Sequence, residues 1–309
     1  MGVALAKARN VMGYNGVLGI GGLAGDIPQP VLAENCAAFS LEVSMRPTVA
    51  DIRAMKARKH KMSMLYVTTL DEAAAASAAK IDILSIEGRY FSPQMREAAG
   101  ACFVQVGLPY GPAGGLATAE DYLRAAFHFG AMGGDCYYCA AALDIQKTLC
   151  DNGVPVVAHV GLIPSQSTWT GGFKAVGKTA ESAKKVWDHV KRLEAIGCFG
   201  AELEVVPDRV AEVITRHSPL VMLGMGAGPW ADAQYLFAED VLGHTGGHKP
   251  RHAKTYRNFA AEYARLQQER IGAFREFNAD VASGAYPEPR HTVAVGDEDF
   301  NRFLALIKD

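Results

Sequence analysis

Short, unbroken apolar runs alternate with amphipathic stretches along the chain from Thr48 onward. An apolar run without polar alternation is typical of a strand that is buried on both faces of a parallel sheet. The clearest example is Val154–Ala158, which is followed by small, turn-forming residues and then by the helical stretch Thr179–Glu194. This order of strand, loop and helix predicts a repeated βα unit.

Eight strands of this kind can be marked, and they predict a (β/α)₈ barrel, with a doubly wound sheet as the alternative. The predicted strands are Met64–Val67, Asp82–Ile86, Cys102–Val106, Asp135–Cys139, Val154–Ala158, Gly200–Val205, Pro219–Gly224 and Asp240–Leu242. The predicted helices include Asp71–Ala79, Thr118–Met132, Thr179–Glu194 and Asp208–His217. Thr48 and Asp51 have the spacing of a capping box at the start of an earlier helix.

The regular pattern also sets the expected domain boundaries. Residues 1–47 are predicted to form an N-terminal arm or extra layer, residues 48–291 the barrel and residues 292–309 a C-terminal extension. Glycines at 19–25 approach the spacing of a dinucleotide-binding loop, but Asp26-Ile-Pro-Gln-Pro cannot begin the helix that such a loop requires. We therefore expect no nucleotide site in the arm.

Composition narrows the class of protein. The chain has 309 residues, of which 49% are hydrophobic and 21% charged, and its net charge is −2. These values are typical of a soluble enzyme and give no reason to expect a nucleic-acid partner. No apolar run is long enough to span a membrane, and the scattered cysteines suit a reducing compartment, so we expect a cytoplasmic protein without a membrane partner.

One pair of cysteines and one group of histidines have spacings that could suggest metal binding, but neither is a good metal site. Cys136 and Cys139 lie on one predicted strand at a spacing that makes them face opposite sides. His244, His248 and His252 have a helical spacing, but the glycines among them argue against a helix. We expect structural roles for both groups.

Several motifs, in order, resemble the ketopantoate hydroxymethyltransferase family, whose biosynthetic name is 3-methyl-2-oxobutanoate hydroxymethyltransferase. They are VVAHVGLIPSQSTWTGGFKAVGK, LEVVP (203–207), LGMGAG (223–228) and GHTGGHKPRHAK (243–254). The resemblance implies a TIM barrel of the phosphoenolpyruvate/pyruvate superfamily that forms a homo-oligomer. It also implies transfer of a hydroxymethyl group from 5,10-methylenetetrahydrofolate to an oxo acid that Mg²⁺ holds, after a base has formed the enolate.

The resemblance assigns roles to three residues of this chain. Glu204 matches the glutamate of the family's L-E-x-V-P stretch and would be the base, while His159 matches its active-site histidine and would be a polar catalytic partner. Glu87 matches a metal-binding aspartate as a longer carboxylate. Period-2 alternation places Glu202 on the same face of its strand as Glu204.

Other positions depart from the family. Gly107 stands at the second metal-binding aspartate, Tyr138 at a lysine and Ala140 at a glutamate. Because Mg²⁺ requires several oxygen ligands in a strict geometry, the loss of one carboxylate is expected to weaken its binding severely. Use of Mg²⁺, and of methylenetetrahydrofolate as co-substrate, is therefore doubtful.

Four residues are candidates for substrate binding, namely Thr69, Arg89, Tyr138 and Ser165. The planar guanidinium of Arg89 could hold a substrate carboxylate, and the alternative is an ion pair with Glu87. Asp71 is expected to cap the helix that it begins.

We expect an enzyme that makes or breaks a carbon–carbon bond next to the carbonyl of a small oxo acid other than 3-methyl-2-oxobutanoate. One alternative is a genuine 3-methyl-2-oxobutanoate hydroxymethyltransferase that depends on methylenetetrahydrofolate. The other is a non-catalytic binding or scaffold protein.

Overall fold

The computed structural model describes residues 46–109, 115–247 and 249–307. Its strands form a closed parallel barrel in which each strand pairs with its sequence neighbours and β8 pairs with β1. They are β1 (Met62–Tyr66), β2 (Ile83–Glu87), β3 (Phe103–Gly107), β4 (Cys136–Tyr138), β5 (Val156–Gly161), β6 (Gly200–Glu204), β7 (Val221–Met225) and β8 (Ala233–Phe237). The (β/α)₈ barrel is confirmed, and a doubly wound sheet is excluded.

The helices follow the strands along the chain, except that α1 precedes β1 and no helix separates β7 from β8. They are α1 (Val49–Ala57), α2 (Leu70–Ala78), α3 (Pro93–Ala98), α4 (Ala119–Ala131), α5 (Leu143–Asp151), α6 (Ser167–Thr170), α7 (Ala180–Ala195), α8 (Asp208–His217), α9 (Ala238–Leu242), α10 (Phe259–Ser283) and α11 (Asp297–Leu306). Thr48 caps α1 in a capping box, as predicted. Asp71 does not cap α2, because Thr69 and Glu72 form the capping box there.

The sequence pattern places the eighth strand at Asp240–Leu242, and this prediction is wrong. That segment belongs to α9, where Asp240 is buried and accepts a 2.6 Å hydrogen bond from the hydroxyl of Thr245. The true β8 contains the exposed Gln234 and therefore lacks the unbroken apolar run that marks the other strands.

The barrel interior changes from apolar to polar along the strands. Toward the amino ends it is filled by an apolar cluster that includes Met62, Met64, Ile83, Phe103, Cys136, Val157, Phe199 and Val221. Cys139 belongs instead to the cluster between strands and helices, so the two cysteines face opposite sides as predicted. Nearer the carboxyl ends, the buried inward side chains are those of Ser85, Gln105, His159 and Glu202. Because parallel strands end at one face, this polar layer lies directly beneath the mouth of the barrel.

The chain continues beyond the barrel into α10 and α11, which present most of their side chains to solvent. None of the helices in the described part of the chain combines the length and apolar character needed to cross a bilayer. Most of the predicted N-terminal arm lies outside the described residues, so the division into domains stays a prediction.

Candidate active site

Two glutamates of β6 face the barrel interior. Glu202 is buried, and Glu204, at the end of the strand, has 14% of its side chain exposed. His159 of β5 lies between them, with Nε2 3.1 Å from Oε2 of Glu204 and Nδ1 3.4 Å from Oε2 of Glu202. Strand register accounts for this arrangement, since His159 pairs with Glu202 and Gly161 pairs with Glu204. The structure thus brings together Glu204 and His159, the two residues predicted to be catalytic.

His159 is a charged group in a buried place. Burial by itself would lower the pKa of the imidazole, but the hydrogen bonds and charges of Glu202 and Glu204 outweigh it and raise the pKa of His159 to about 9. Nε2 also donates to the carbonyl oxygen of Leu162 at 2.7 Å, and Nδ1 lies 2.9 Å from the hydroxyl of Tyr138. At neutral pH, His159 is therefore an imidazolium held between two carboxylates.

The backbone next to Glu204 is held in an uncommon conformation. Val205 has φ +49°, which β-branched residues rarely adopt, and it is fixed by a 2.8 Å hydrogen bond from its N–H to the carbonyl of Met225. Gly161 has φ +90°, and a Cβ there would overlap the carbonyl oxygen of Glu204. Tight contacts between the main chains of β5 and β6 therefore set the position of the Glu204 side chain.

A second cluster lies at the ends of β1 and β2. Glu87 Oε2 is 2.6 Å from Nε of Arg89, and Glu87 Oε1 accepts a 2.9 Å hydrogen bond from the hydroxyl of Tyr66. Arg89 is 65% exposed and lies over the ring of Tyr90. The pKa of Tyr66 is raised, mainly by burial and to a lesser extent by the hydrogen bond to Glu87. The phenol therefore keeps its proton and remains a hydrogen-bond donor. The ion pair between Glu87 and Arg89 is thus present, and sequence reasoning missed Tyr66.

These residues do not fit a magnesium site. Both oxygens of Glu87 have partners, one of them a cation, and Gly107, which pairs with Glu87 in the sheet, supplies no side chain. Across the described ranges, no three or more Asp, Glu, His or Cys side chains are grouped so that they could hold a metal ion. Since Mg²⁺ takes several oxygen ligands in an octahedron, Glu87 lacks the partners that metal ligation requires.

The other predicted residues have different surroundings. Tyr138 is buried and reaches His159, whereas the hydroxyl of Thr69 is used in the capping box of α2. Ser165 is exposed in a short 3₁₀ helix after β5. His244 stacks on the ring of Phe259 in α10, and His248 lies outside the described residues.

His252, for which the sequence pattern predicted a structural role, lies near the mouth of the barrel. It is half-buried and packs on Gly226, where a Cβ would lie 2.8 Å from its Nδ1. Gly226 directly follows Met225, which pairs with Glu204 in the sheet. Burial lowers the pKa of His252 although the charge of Glu204 acts in the opposite direction, so this is a neutral imidazole near the mouth.

A cavity of about 280 Å³ opens beside His159 and provides room for a small ligand. Its lining includes Ala140, Gln166, His189 and Arg192. A larger cavity of about 510 Å³, lined by Arg53 and Leu220 among others, lies toward the amino ends of the strands. Of these two cavities, the smaller one is lined by His159, so we associate it with the candidate site.

The profile of the ketopantoate hydroxymethyltransferase family matches residues 96–289, which is more than half of the chain. The chain belongs to this family. Its similar curated proteins include 3-methyl-2-oxobutanoate hydroxymethyltransferase 1 of Methylibium petroleiphilum, 32% identical over 53% of each chain. The enzyme of the same name from Desulfotalea psychrophila is 31% identical over 80% of this chain and 94% of its own. That of Thermus thermophilus is 31% identical over 80% of this chain and 100% of its own.

The chain spans about half the length of the first of these relatives, 53%. Among solved structures, it is similar to the carboxyl transferase domain of Rhizobium etli pyruvate carboxylase, with a TM-score of 0.47, 12% identity and coverage of 62% of this chain and 42% of that one. The fold assignment rests on the closed barrel of this chain itself. Membership of the ketopantoate hydroxymethyltransferase family confirms the resemblance of the motifs, while the roles of single residues stay predictions.

Proposed function

We propose that this chain makes or breaks a carbon–carbon bond next to the carbonyl of a small oxo acid other than 3-methyl-2-oxobutanoate. The observation that carries the proposal is the carboxylate of Glu204, which lies at the barrel mouth 3.1 Å from the imidazolium of His159. A carboxylate paired with a fixed cation stays ionised and can take the acidic proton beside a carbonyl.

Removal of that proton leaves an enolate, whose carbon attacks an electrophilic carbon and forms the new bond. The reverse sequence breaks the bond and returns the proton. Arg89 supports the binding of an oxo acid, because its guanidinium has five N–H donors, of which Glu87 and Tyr66 use only part. Its planar shape matches the carboxylate of the substrate.

The side chains around the mouth support a change of substrate within the family. Tyr138 stands at a position where the resemblance implies a lysine, and its hydroxyl contacts His159. Arg89 supplies the positive charge next to Glu87. Both the charge and the shape of the surface that would hold the oxo acid therefore differ from those that the resemblance implies.

We also propose that the chain forms a homo-oligomer. Large apolar side chains are exposed on α10 and α11, including those of Phe274, Phe277, Phe303 and Leu306. Exposed apolar surface of this extent is typical of a surface that another chain covers.

A substrate panel tests the proposed function. The protein is incubated with short-chain 2-oxo acids and either formaldehyde or 5,10-methylenetetrahydrofolate, and new carbon–carbon bonds are detected by ¹³C NMR. We expect a product from an oxo acid other than 3-methyl-2-oxobutanoate. Preferred turnover of 3-methyl-2-oxobutanoate would contradict the change of substrate, and no product from any pair would favour a binding or scaffold protein.

A further inference from the structure

A buried hydrogen-bonded chain lies behind Glu204. Gln105 of β3 is fully buried, and its Nε2 donates to Oε1 of Glu202 at 2.7 Å and to Oγ of Ser85 at 3.1 Å. The other oxygen of Glu202 faces Nδ1 of His159. A carboxyl group at this depth is strongly destabilising without hydrogen-bond partners, so the contacts of Glu202 with Gln105 and His159 are essential to it.

The orientation of Gln105 shows that Glu202 accepts a hydrogen bond from the amide nitrogen. Both hydrogen bonds use the amide nitrogen, and Oε1 of Gln105 has no donor among the described side chains and backbone. Leaving a buried acceptor without a partner is unfavourable. The opposite orientation would place this oxygen against an acceptor oxygen of Glu202, so the hydrogen bond to Glu202 explains why the amide is held this way.

We propose that Glu202 is a positioning residue that keeps His159 an imidazolium and thereby holds a cation beside the carboxylate of Glu204. This inference rests on the proposed function, in which Glu204 takes the proton. With His159 charged, the three groups carry one net negative charge, from two carboxylates and one imidazolium. With a neutral imidazole, the carboxylate of Glu204 would lose the cation that faces it at 3.1 Å.

Besides the two glutamates, the titratable side chains around His159 include the cation of Arg192 on α7, which lines the cavity beside it. Tyr138 of β4 contacts the imidazole through its hydroxyl, and His189 of α7 has a pKa lowered to about 4, chiefly by burial. Cys136 and Tyr235 lie near Glu202, and burial raises the pKa of both side chains. Burial keeps His189, Cys136 and Tyr235 neutral, and it is Glu202 and Glu204 that favour the charged form of His159.

Glu202→Gln is the informative variant because it preserves shape. Its amide oxygen can still accept from Gln105, while its NH₂ group turns toward Nδ1 of His159. Nδ1 must then accept, and the remaining proton stays on Nε2, where the carbonyl of Leu162 requires it. The variant therefore suits a neutral imidazole and is expected to fold.

Asp232→Asn is a matched control. Asp232 is a buried carboxylate that pairs with Lys56 and accepts a 2.8 Å hydrogen bond from the N–H of Met222. It precedes β8 and therefore lies toward the amino ends of the strands, away from the polar layer. Its replacement removes a buried charge without touching His159.

The first measurement is the titration of His159 by NMR of protein with ¹⁵N-labelled histidine, with the signal assigned from its loss in His159→Gln. We expect an imidazolium at neutral pH in the wild type and in Asp232→Asn. In Glu202→Gln, the titration midpoint of His159 should fall by about 2 pH units or more. At neutral pH, the imidazole of this variant should then be the neutral Nε2–H tautomer. A neutral His159 in the wild type, or an unchanged titration in Glu202→Gln, would overturn the proposal.

The second measurement separates this proposal from the proposed function. Exchange of the α-protons of short-chain 2-oxo acids in deuterated water is followed against pH. Glu202→Gln should exchange at roughly one tenth of the wild-type rate or less, with a pH profile displaced from the wild type, whereas Asp232→Asn should keep the wild-type profile. If the wild type shows no exchange, the proposed function is contradicted, and the effect of Glu202 on His159 is then decided by the titration alone. If Glu202→Gln exchanges with the same pH profile as the wild type, the positioning role of Glu202 is overturned, while Glu204 can still be the base.

Discussion

Gly161→Ala tests whether the position of Glu204 depends on close contact between the main chains of β5 and β6. A Cβ at Gly161 would overlap the carbonyl oxygen of Glu204 and lie 2.6 Å from Cγ2 of Val206. Alanine at φ +90° costs about 1 kcal/mol in backbone strain, and a methyl group forced into a packed contact costs about 1–3 kcal/mol more. The free energy of unfolding should therefore fall by about 2–4 kcal/mol.

Urea unfolding followed by tryptophan fluorescence measures this loss. Gly153→Ala is the matched control, because Gly153 has φ +77° and nothing lies within 4 Å of its Cβ position. The control should lose about 1 kcal/mol, from strain alone. The difference between the two variants measures the contact with Glu204, and equal losses would refute the argument.

Two further predictions concern the charges at the mouth. Because the pKa of His159 is raised from 6.5 to about 9, its stabilisation is fully present below pH 6.5 and is lost as the pH rises through 9. Urea unfolding measures the difference in the free energy of unfolding between the wild type and His159→Gln. This difference should shrink by about 3 kcal/mol over that pH range, and a constant difference would count against an imidazolium. A Cβ at Gly107 would lie 3.3 Å from Cα of Glu87, so Gly107→Asp fits with a small adjustment. Combined with Arg89→Ser, it should raise the affinity for Mg²⁺, measured by calorimetry, by roughly tenfold or more, and unchanged affinity would contradict our explanation of why the wild type does not fit the ion.

The parts of the fold that could be predicted from sequence are those set by local pattern. Val154–Ala158 is apolar throughout because both faces of β5 are buried, and Thr48 with Asp51 forms a cap from residues that are close in sequence. The eighth strand was misplaced because Gln234 projects to solvent, which breaks the apolar run. Local pattern could not identify a strand whose outer face is partly exposed.

The candidate site was predictable only in part. Glu204 and His159 lie at predicted strand ends, and their meeting follows from the adjacency of β5 and β6. The hydrogen bond between Gln105 and Glu202 joins residues 97 positions apart, across the barrel interior, and depends on closure of the whole barrel. Glutamine within an apolar strand was the signal that could have indicated a buried polar partner.

The role of Glu204 as the base is tested most directly by α-proton exchange in deuterated water, with the oxo acid alone and no carbon acceptor. The wild type should exchange the proton, and Glu204→Gln should lose roughly 100-fold or more of the rate while its unfolding transition is retained. Equal exchange rates in the two folded proteins would contradict the account.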